Sequence, residues 1–184
     1  MTLTQLFSDI RTSYIALLAA AAANGNTHVE PAYRDAYGAL AVEGSPALPC
    51  RADLIAVDGE FAGQSYTVDA KTQLEFAQVI FPLSSTEVRI SPFTWDWMPV
   101  QVSGLEKETA DATLAKWFMS WFDGEDQNQK NADGLYGVVH FMSAVSEEEN
   151  GLQLSIDLGS VTEAAVEDLL IRLADAKAAA IYLG

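Results

Sequence analysis

Apolar residues at Leu3, Leu6, Phe7, Ile10, Tyr14, Leu17, Leu18 and Ala21 recur at i, i+3, i+4 and i+7. That spacing lines one face of a 3.6-residue helix. Thr2 and Gln5 stand at capping-box spacing before it, and Asn24-Gly25-Asn26 supplies the stop. A short second helix is expected after Pro31, with Tyr33, Tyr37 and Leu40 inward and Gly44-Ser45-Pro46 marking its end. From Arg51 the period changes to two. Leu54 to Val57, Tyr66 to Asp69, Gln78 to Phe81 and Glu87 to Ile90 read as short strands, the first ending at a hairpin-type Asp58-Gly59 turn. Phe93-Thr94-Trp95-Asp96-Trp97 alternates strictly between Pro92 and Pro99, which predicts an edge strand with its aromatics on one face.

A second strong helix is expected from about Glu108 to Phe122, with Ala110, Leu114, Trp117, Phe118, Trp121 and Phe122 in one stripe. A polar loop follows to Gly134. Tyr136 to Val145 and Leu152 to Leu158 then read as strands joined by a turn over residues 146–151. Ser160 and Glu163 form a second capping-box pattern, opening a helix whose stripe is Val166, Leu169, Leu170 and Leu173. The tail from Ala178 either extends that helix or returns as a strand parallel to Leu152–Leu158. The strand is preferred, because a strand, a tight turn and a helix usually begin a βαβ unit. The order predicts an α+β fold, one domain over residues 1–184, with a mostly antiparallel sheet covered on one side by helices and a C-terminal βαβ unit.

Composition supports an ordinary core, since 49 % of the 184 residues are hydrophobic. Charge narrows the partners. Ten Lys and Arg against 26 Asp and Glu give a net charge of -16, which repels nucleic-acid phosphates and anionic lipid. Basic proteins, cations and neutral ligands remain, and solubility alone also accounts for the acidity. Cys50 is the single cysteine, so no disulfide forms within the chain. Asp9 and Arg11 interrupt the N-terminal apolar segment, and no stretch is expected to be long and apolar enough to span a bilayer. A soluble, cytoplasmic protein is the expectation.

Candidate chemistry is sparse. Gly63-Gln64-Ser65 lacks the second glycine of a nucleophile elbow. Cys50 precedes Arg51, but a Cys–His pair needs the fold to bring His28 or His140 to it. His28 and Glu30 share a face only in an extended segment, and His140 falls on the face of Val138 and Met142, as a satisfied or half-buried histidine would. No zinc-type Cys/His spacing, calcium loop or phosphate cradle is present. No catalytic residue, metal or cofactor is therefore assigned; the 26 acids offer carboxylate pairs everywhere, which singles out none.

All four tryptophans fall in two segments, Trp95/Trp97 and Trp117/Trp121. A helix docked on a sheet is the simplest account of them. The functional alternative exposes Trp95 and Trp97 beside Asp96, where an arginine from a partner stacks and pairs at once, with Glu125-Asp126 and Glu147-Glu148-Glu149 steering it. The expected function is thus a non-enzymatic acidic protein that engages a basic protein surface, such as an immunity or antitoxin-type inhibitor, through Trp95, Asp96 and Trp97. A small enzyme or small-molecule module with a pocket between sheet and helix (His140, Asp96 or Cys50 as its polar groups) and a self-associating subunit are the alternatives.

Overall fold

The N-terminal apolar stripe folds into α1 (Leu3–Asn24), with Leu6, Phe7, Ile10, Tyr14, Ile15 and Leu18 buried along it. Thr2 caps its start by accepting from Gln5 N at 3.1 Å. The Gln5 side chain donates to Asp9 instead of reaching back, so half of the capping box is made. These features come from a computed structural model that describes residues 2–43 and 46–184. By length and composition, residues 3–23 of α1 do suffice to cross a membrane, with mean hydropathy 1.2, contrary to the sequence expectation. In this fold the inward face of α1 belongs to the main hydrophobic core.

After α1 come β1 (Thr27–Val29), β2 (Val42–Glu43), β3 (Leu48–Pro49), β4 (Leu54–Ala56) and β5 (Ser65–Tyr66), then β6 (Val79–Leu83), β7 (Thr86–Ile90) and β8 (Met98–Ser103). The chain continues through α2 (Lys107–Phe122), β9 (Phe141–Met142), β10 (Ser146–Glu148), β11 (Gly151–Asp157), α3 (Glu163–Asp175) and β12 (Ala180–Leu183). The main sheet runs β10-β11-β8-β12-β7-β6, with β9 also paired to β11. β12 lies parallel to β7 and antiparallel to β8, and the other pairs of this sheet are antiparallel. A smaller sheet, β1-β4-β5, holds the loops that build the site.

Period-two patterning gives the main sheet two unlike faces. Val88, Ile90, Met98, Val100, Val102, Leu154, Ile156 and Ile181 point into the core with the helices. Glu87, Arg89, Gln101, Gln153 and Tyr182 alternate with them and are exposed or half-buried. Across that outer face the Arg89 guanidinium lies 5.2 Å from the Tyr182 ring centroid. The fold is α+β, with a mostly antiparallel sheet covered on one side by helices. Its C-terminal strand is the returning strand expected. β11 and β12 are both antiparallel to β8 and therefore parallel to each other, with β8 inserted between them as a split βαβ unit.

Several local expectations fail. Tyr66 to Asp69 is strand at Tyr66 alone, and the turn expected over residues 146–151 opens as β10. Residues 31–40 form no helix: isolated bridges join Ala32 to Arg51 and Arg34 to Leu40, and Tyr37 is 96 % exposed. The Gly44-Ser45 end expected for that helix lies outside the described residues. Phe93 to Trp97 is not a strand, because the Thr94–Trp97 bridge closes a turn at Trp95-Asp96. Between Tyr136 and Val145 only Phe141–Met142 is strand. Ser160 does not cap α3, whose N-cap is Thr162. The Ser160 hydroxyl instead accepts from Gly137 N and Val138 N, so a side chain that looked local serves a distant segment.

Candidate functional site

Four segments far apart in the chain converge on His140. β1 hands Glu30 into the interior with a left-handed φ of 50°. The segment before β4 supplies Arg51 and Asp53, the run before β9 supplies His140, and the last residue of β11 is Asp157. Backbone bonds tie these segments together: Glu30 N donates to Asp53 O, Arg51 N to His140 O, and His140 N to Asp157 O. Gly159 follows with φ 52°, and a Cβ there would lie 2.3 Å from His140 Cδ2. The imidazole is thus packed against backbone that only glycine fits.

Both ring nitrogens of the buried His140 meet carboxylates. Nε2 is 2.7 Å from Glu30 Oε1 and Nδ1 is 2.8 Å from Asp53 Oδ1. Asp157 Oδ2 stands 3.8 Å from the same Nδ1. Each acid is held in turn. Tyr136 N donates to Glu30 Oε2, Val68 N and the Tyr14 hydroxyl donate to Asp53, and Gly159 N donates to Asp157 Oδ1. Burial alone pushes His140 down, but the charge of Asp157 and the bonds to Asp53 and Glu30 outweigh it and lift its pKa to about 10. Burial pushes Glu30 up, yet its bond to His140 and the imidazolium charge leave it below the usual range. Asp157 is raised to about 6 by burial, with His140 opposing and Asp53 and Asp96 adding repulsion.

An imidazole held protonated with both N–H groups engaged accepts no proton from a substrate at neutral pH. As it stands, the cluster is a buried ionic tie among four segments. Removing one partner of such a tie costs on the order of 3–5 kcal/mol, because the remaining charge is stranded. The donor atoms of Asp53, His140 and Asp157 also lie within 4.8 Å of one another, a set able to hold a metal ion.

Arg51 forms a second buried node. Its guanidinium donates to the carbonyls of Glu30, Phe122 and Asp123 and to Asp126 Oδ1, and lies 4.7 Å from the Phe122 ring centroid. Asp126 also pairs with Arg34 at 2.8 Å. A cleft of about 380 Å³ opens beside these groups, lined among others by His28, Glu30, Arg34, Arg51, Asp126 and Tyr136. It is bounded by β1 of the small sheet and by loops, and not by the main sheet and a helix. Its two arginines are already matched to Asp126.

The residues singled out from the sequence separate. Trp95 is 0 % exposed, whereas Trp97 is 50 % exposed. The turn between them puts the two rings on opposite sides, so they do not share one face. Asp96 is tied down by Ala70 N at 2.7 Å, while its Oδ1 is buried with no hydrogen-bond partner. Trp97 instead stacks with Phe141, 38 % exposed, at 6.2 Å between centroids and 9° between planes. β11 explains the meeting. Ile156 is flanked by Met98 on one side and Met142 on the other, and Phe141 pairs with Asp157. Trp97 and Phe141 therefore flank the Asp157 position on the outer face of the sheet.

His28 lies exposed in β1, and Cys50 is partly buried next to Arg51. The His140 ring turns to acids and not to a thiol. The sequence does not single out Asp53 and Asp157. It sets Glu30 and Arg51 only beside His28 and Cys50, whereas the fold sets the two against each other and Glu30 against His140. One signal was available for two of them: Arg51 and Asp53 interrupt a stretch whose neighbours Ala52, Leu54 and Ala56 are all buried. The chain matches no protein-family model, no characterised protein and no solved structure.

Proposed function

We propose that this chain is a non-enzymatic acidic binding protein that engages a basic protein surface, in the manner of an inhibitor of a cationic toxin. The observation that supports it most is the exposed Trp97–Phe141 stack flanking Asp157. Two nearly parallel rings beside a carboxylate form a receptor for an arginine, which stacks on the outer aromatic face and pairs with the acid. The site departs from the sequence expectation. Trp97 stays in it, Trp95 leaves it for the core, and Asp96 is occupied by the backbone of Ala70.

Charge supports the same reading. Arg34, Arg51, Arg89, Lys107 and Arg172 pair with acids of the chain itself, and Arg11 donates to the carbonyls of Ser160 and Val161. With only ten cations in the sequence against 26 acids, most acids among the described residues face solvent without a counter-charge. Glu147 and Glu148 lie exposed on the edge strand β10, where they add to long-range attraction of a cation-rich partner. Asp126 does not steer, since it is spent on Arg34 and Arg51.

The test is affinity capture from the native host at low and moderate salt, run in parallel with Trp97→Ala and Phe141→Ala. A basic protein retained by the wild type, released by salt and lost about tenfold or more in both variants is the expected result. Recovery of no basic protein, or of partners indifferent to salt and to Trp97, overturns the proposal. Self-association is the rival outcome. It predicts a dimer in sedimentation that Trp97→Ala dissociates.

A further inference from the structure

We propose that Asp53, His140 and Asp157 form a binding site for one divalent transition-metal ion of the zinc type, with Glu30 orienting the histidine. The three donors come from the approach to β4, the run before β9 and the end of β11, so the fold and not local spacing assembles them. Donor atoms about 2 Å from a common tetrahedral ion stand about 3.3 Å apart. The distances from His140 Nδ1 bracket that figure, 2.8 Å to Asp53 Oδ1 and 3.8 Å to Asp157 Oδ2.

The surroundings match what orients metal ligands. A histidine that ligates through one ring nitrogen donates its other N–H to a carboxylate or carbonyl. His140 Nε2 does so to Glu30 Oε1 at 2.7 Å, and Glu30 is anchored by Tyr136 N. Asp53 is held through its second oxygen by Val68 N at 2.6 Å, and Asp157 through its second oxygen by Gly159 N at 2.9 Å. Each ligand thus presents one oxygen or nitrogen inward and is fixed by another atom, the long 3.3 Å bond from the Tyr14 hydroxyl to Asp53 Oδ1 being a contact that an ion has to displace or share. Such division of labour exceeds what a bare ionic tie requires.

Charge and chemistry agree. Three carboxylates surround one imidazole, and a fourth, Asp96, acts on Asp157 and carries the buried oxygen without a partner. A divalent ion entering at Nδ1 displaces the proton there to solvent, keeps the Nε2–H bond to Glu30, and brings one more positive charge than the proton it replaces. One imidazole nitrogen with carboxylate oxygens suits Zn²⁺, Mn²⁺ or Co²⁺ better than the all-oxygen preference of Ca²⁺. Asp157 is the most exposed of the three, with 20 % of its side chain accessible against 1 % for His140. The ion's entry path therefore runs past Asp157 at the surface. Asp157 is shared with the proposed partner site, but ion binding is read directly and needs no partner. The two readings therefore fail separately: Trp97→Ala, which weakens partner capture, leaves the ion's ligands in place.

The experiment uses the full chain stripped with chelator, titrated with Zn²⁺ by calorimetry and checked by metal content after dialysis. One equivalent bound in the micromolar range or tighter, with a rise in Tm, is expected. Asp157→Asn, the partly exposed position least able to disturb folding, weakens binding at least tenfold. Glu30→Gln, acting through the histidine, weakens it about 10–100-fold. Co²⁺ substitution then gives visible absorption characteristic of a four-coordinate nitrogen–oxygen site, which Asp157→Asn alters. Failure of Zn²⁺ to bind overturns the proposal. So does binding that Asp157→Asn and Asp53→Asn, both shown folded by circular dichroism, leave unchanged, which would place the ion on surface acids.

Discussion

Gly159 shows how one missing side chain positions the site. Its φ of 52° is left-handed, and a methyl group would overlap both His140 Cδ2 and the Val138 carbonyl at 2.5 Å. Gly159→Ala therefore adds backbone strain to overpacking, and a destabilisation of about 3 kcal/mol is expected in urea or guanidinium melts. A cost below about 1 kcal/mol would mean that the His140 environment yields easily. Asp126 offers a pH-dependent case. Partial burial pushes it up, but hydrogen bonds from Arg34 and Arg51 and their charges hold it below its ordinary 3.8. A depressed carboxylate stabilises the folded state above its unfolded pKa and loses that contribution as pH falls through the folded one. Asp126→Asn should cost at most about 1 kcal/mol at pH 7, because the side chain is 48 % accessible and solvent screens it. The gap to wild type should hold down to about pH 4 and close below it. A gap that widens in acid would refute this account.

At the level of elements, the helices are locked by polar atoms as well as apolar stripes. Trp117 Nε1 donates to Ala165 O at 2.8 Å and Trp121 Nε1 to Asp168 at 2.9 Å, joining α2 to α3. Asp168 is further braced by Arg172, one turn along α3. Trp117→Phe loses a buried donor and part of a fully buried ring, so a loss of about 2 kcal/mol is expected by chemical denaturation. Trp121→Phe, only partly buried, should cost less than half as much. Ser160 makes a parallel case. Its hydroxyl satisfies two backbone donors of the run that carries His140, so Ser160→Ala should destabilise by about 1–3 kcal/mol. If Ser160 acted as a helix cap, the loss would instead appear as fraying of α3, detectable by amide exchange confined to Glu163–Val166.

For the whole molecule, the net charge of -16 is the dominant long-range term. Self-repulsion among unpaired surface acids opposes the compact state and is screened by salt. Raising salt from about 10 mM to about 150 mM shortens the Debye length from about 30 Å to about 8 Å. Tm should rise by a few degrees over that range, on the order of 1 kcal/mol for a chain of this size. A flat or falling Tm would show that specific ion pairs outweigh the net charge. The same screening should weaken capture of a basic partner, so stability and binding are expected to respond to salt in opposite directions.

Patterns with a short period were legible in the sequence. The stripes of α1, α2 and α3, the alternation of β7 and β11, and the return of the tail as β12 all follow from residues a few positions apart. Burying an apolar face is a local demand whose outcome does not depend on which partner covers it. The Trp95–Trp97 alternation misled for the complementary reason. A turn held by the Thr94–Trp97 bridge and by Trp95 O, which accepts from Leu158 N, overrode a local pattern of five residues. Ser160 was likewise claimed by Gly137 and Val138 before it could serve its own helix. The site itself was decided by tertiary structure alone. Glu30, Asp53, His140 and Asp157 sit at no diagnostic spacing, and a carboxylate in sequence gives no sign of what it will face. Only when β1, β4, β9 and β11 close on one another does each acid acquire a proton donor, and a histidine that looked like a plain core residue becomes the centre of the cluster.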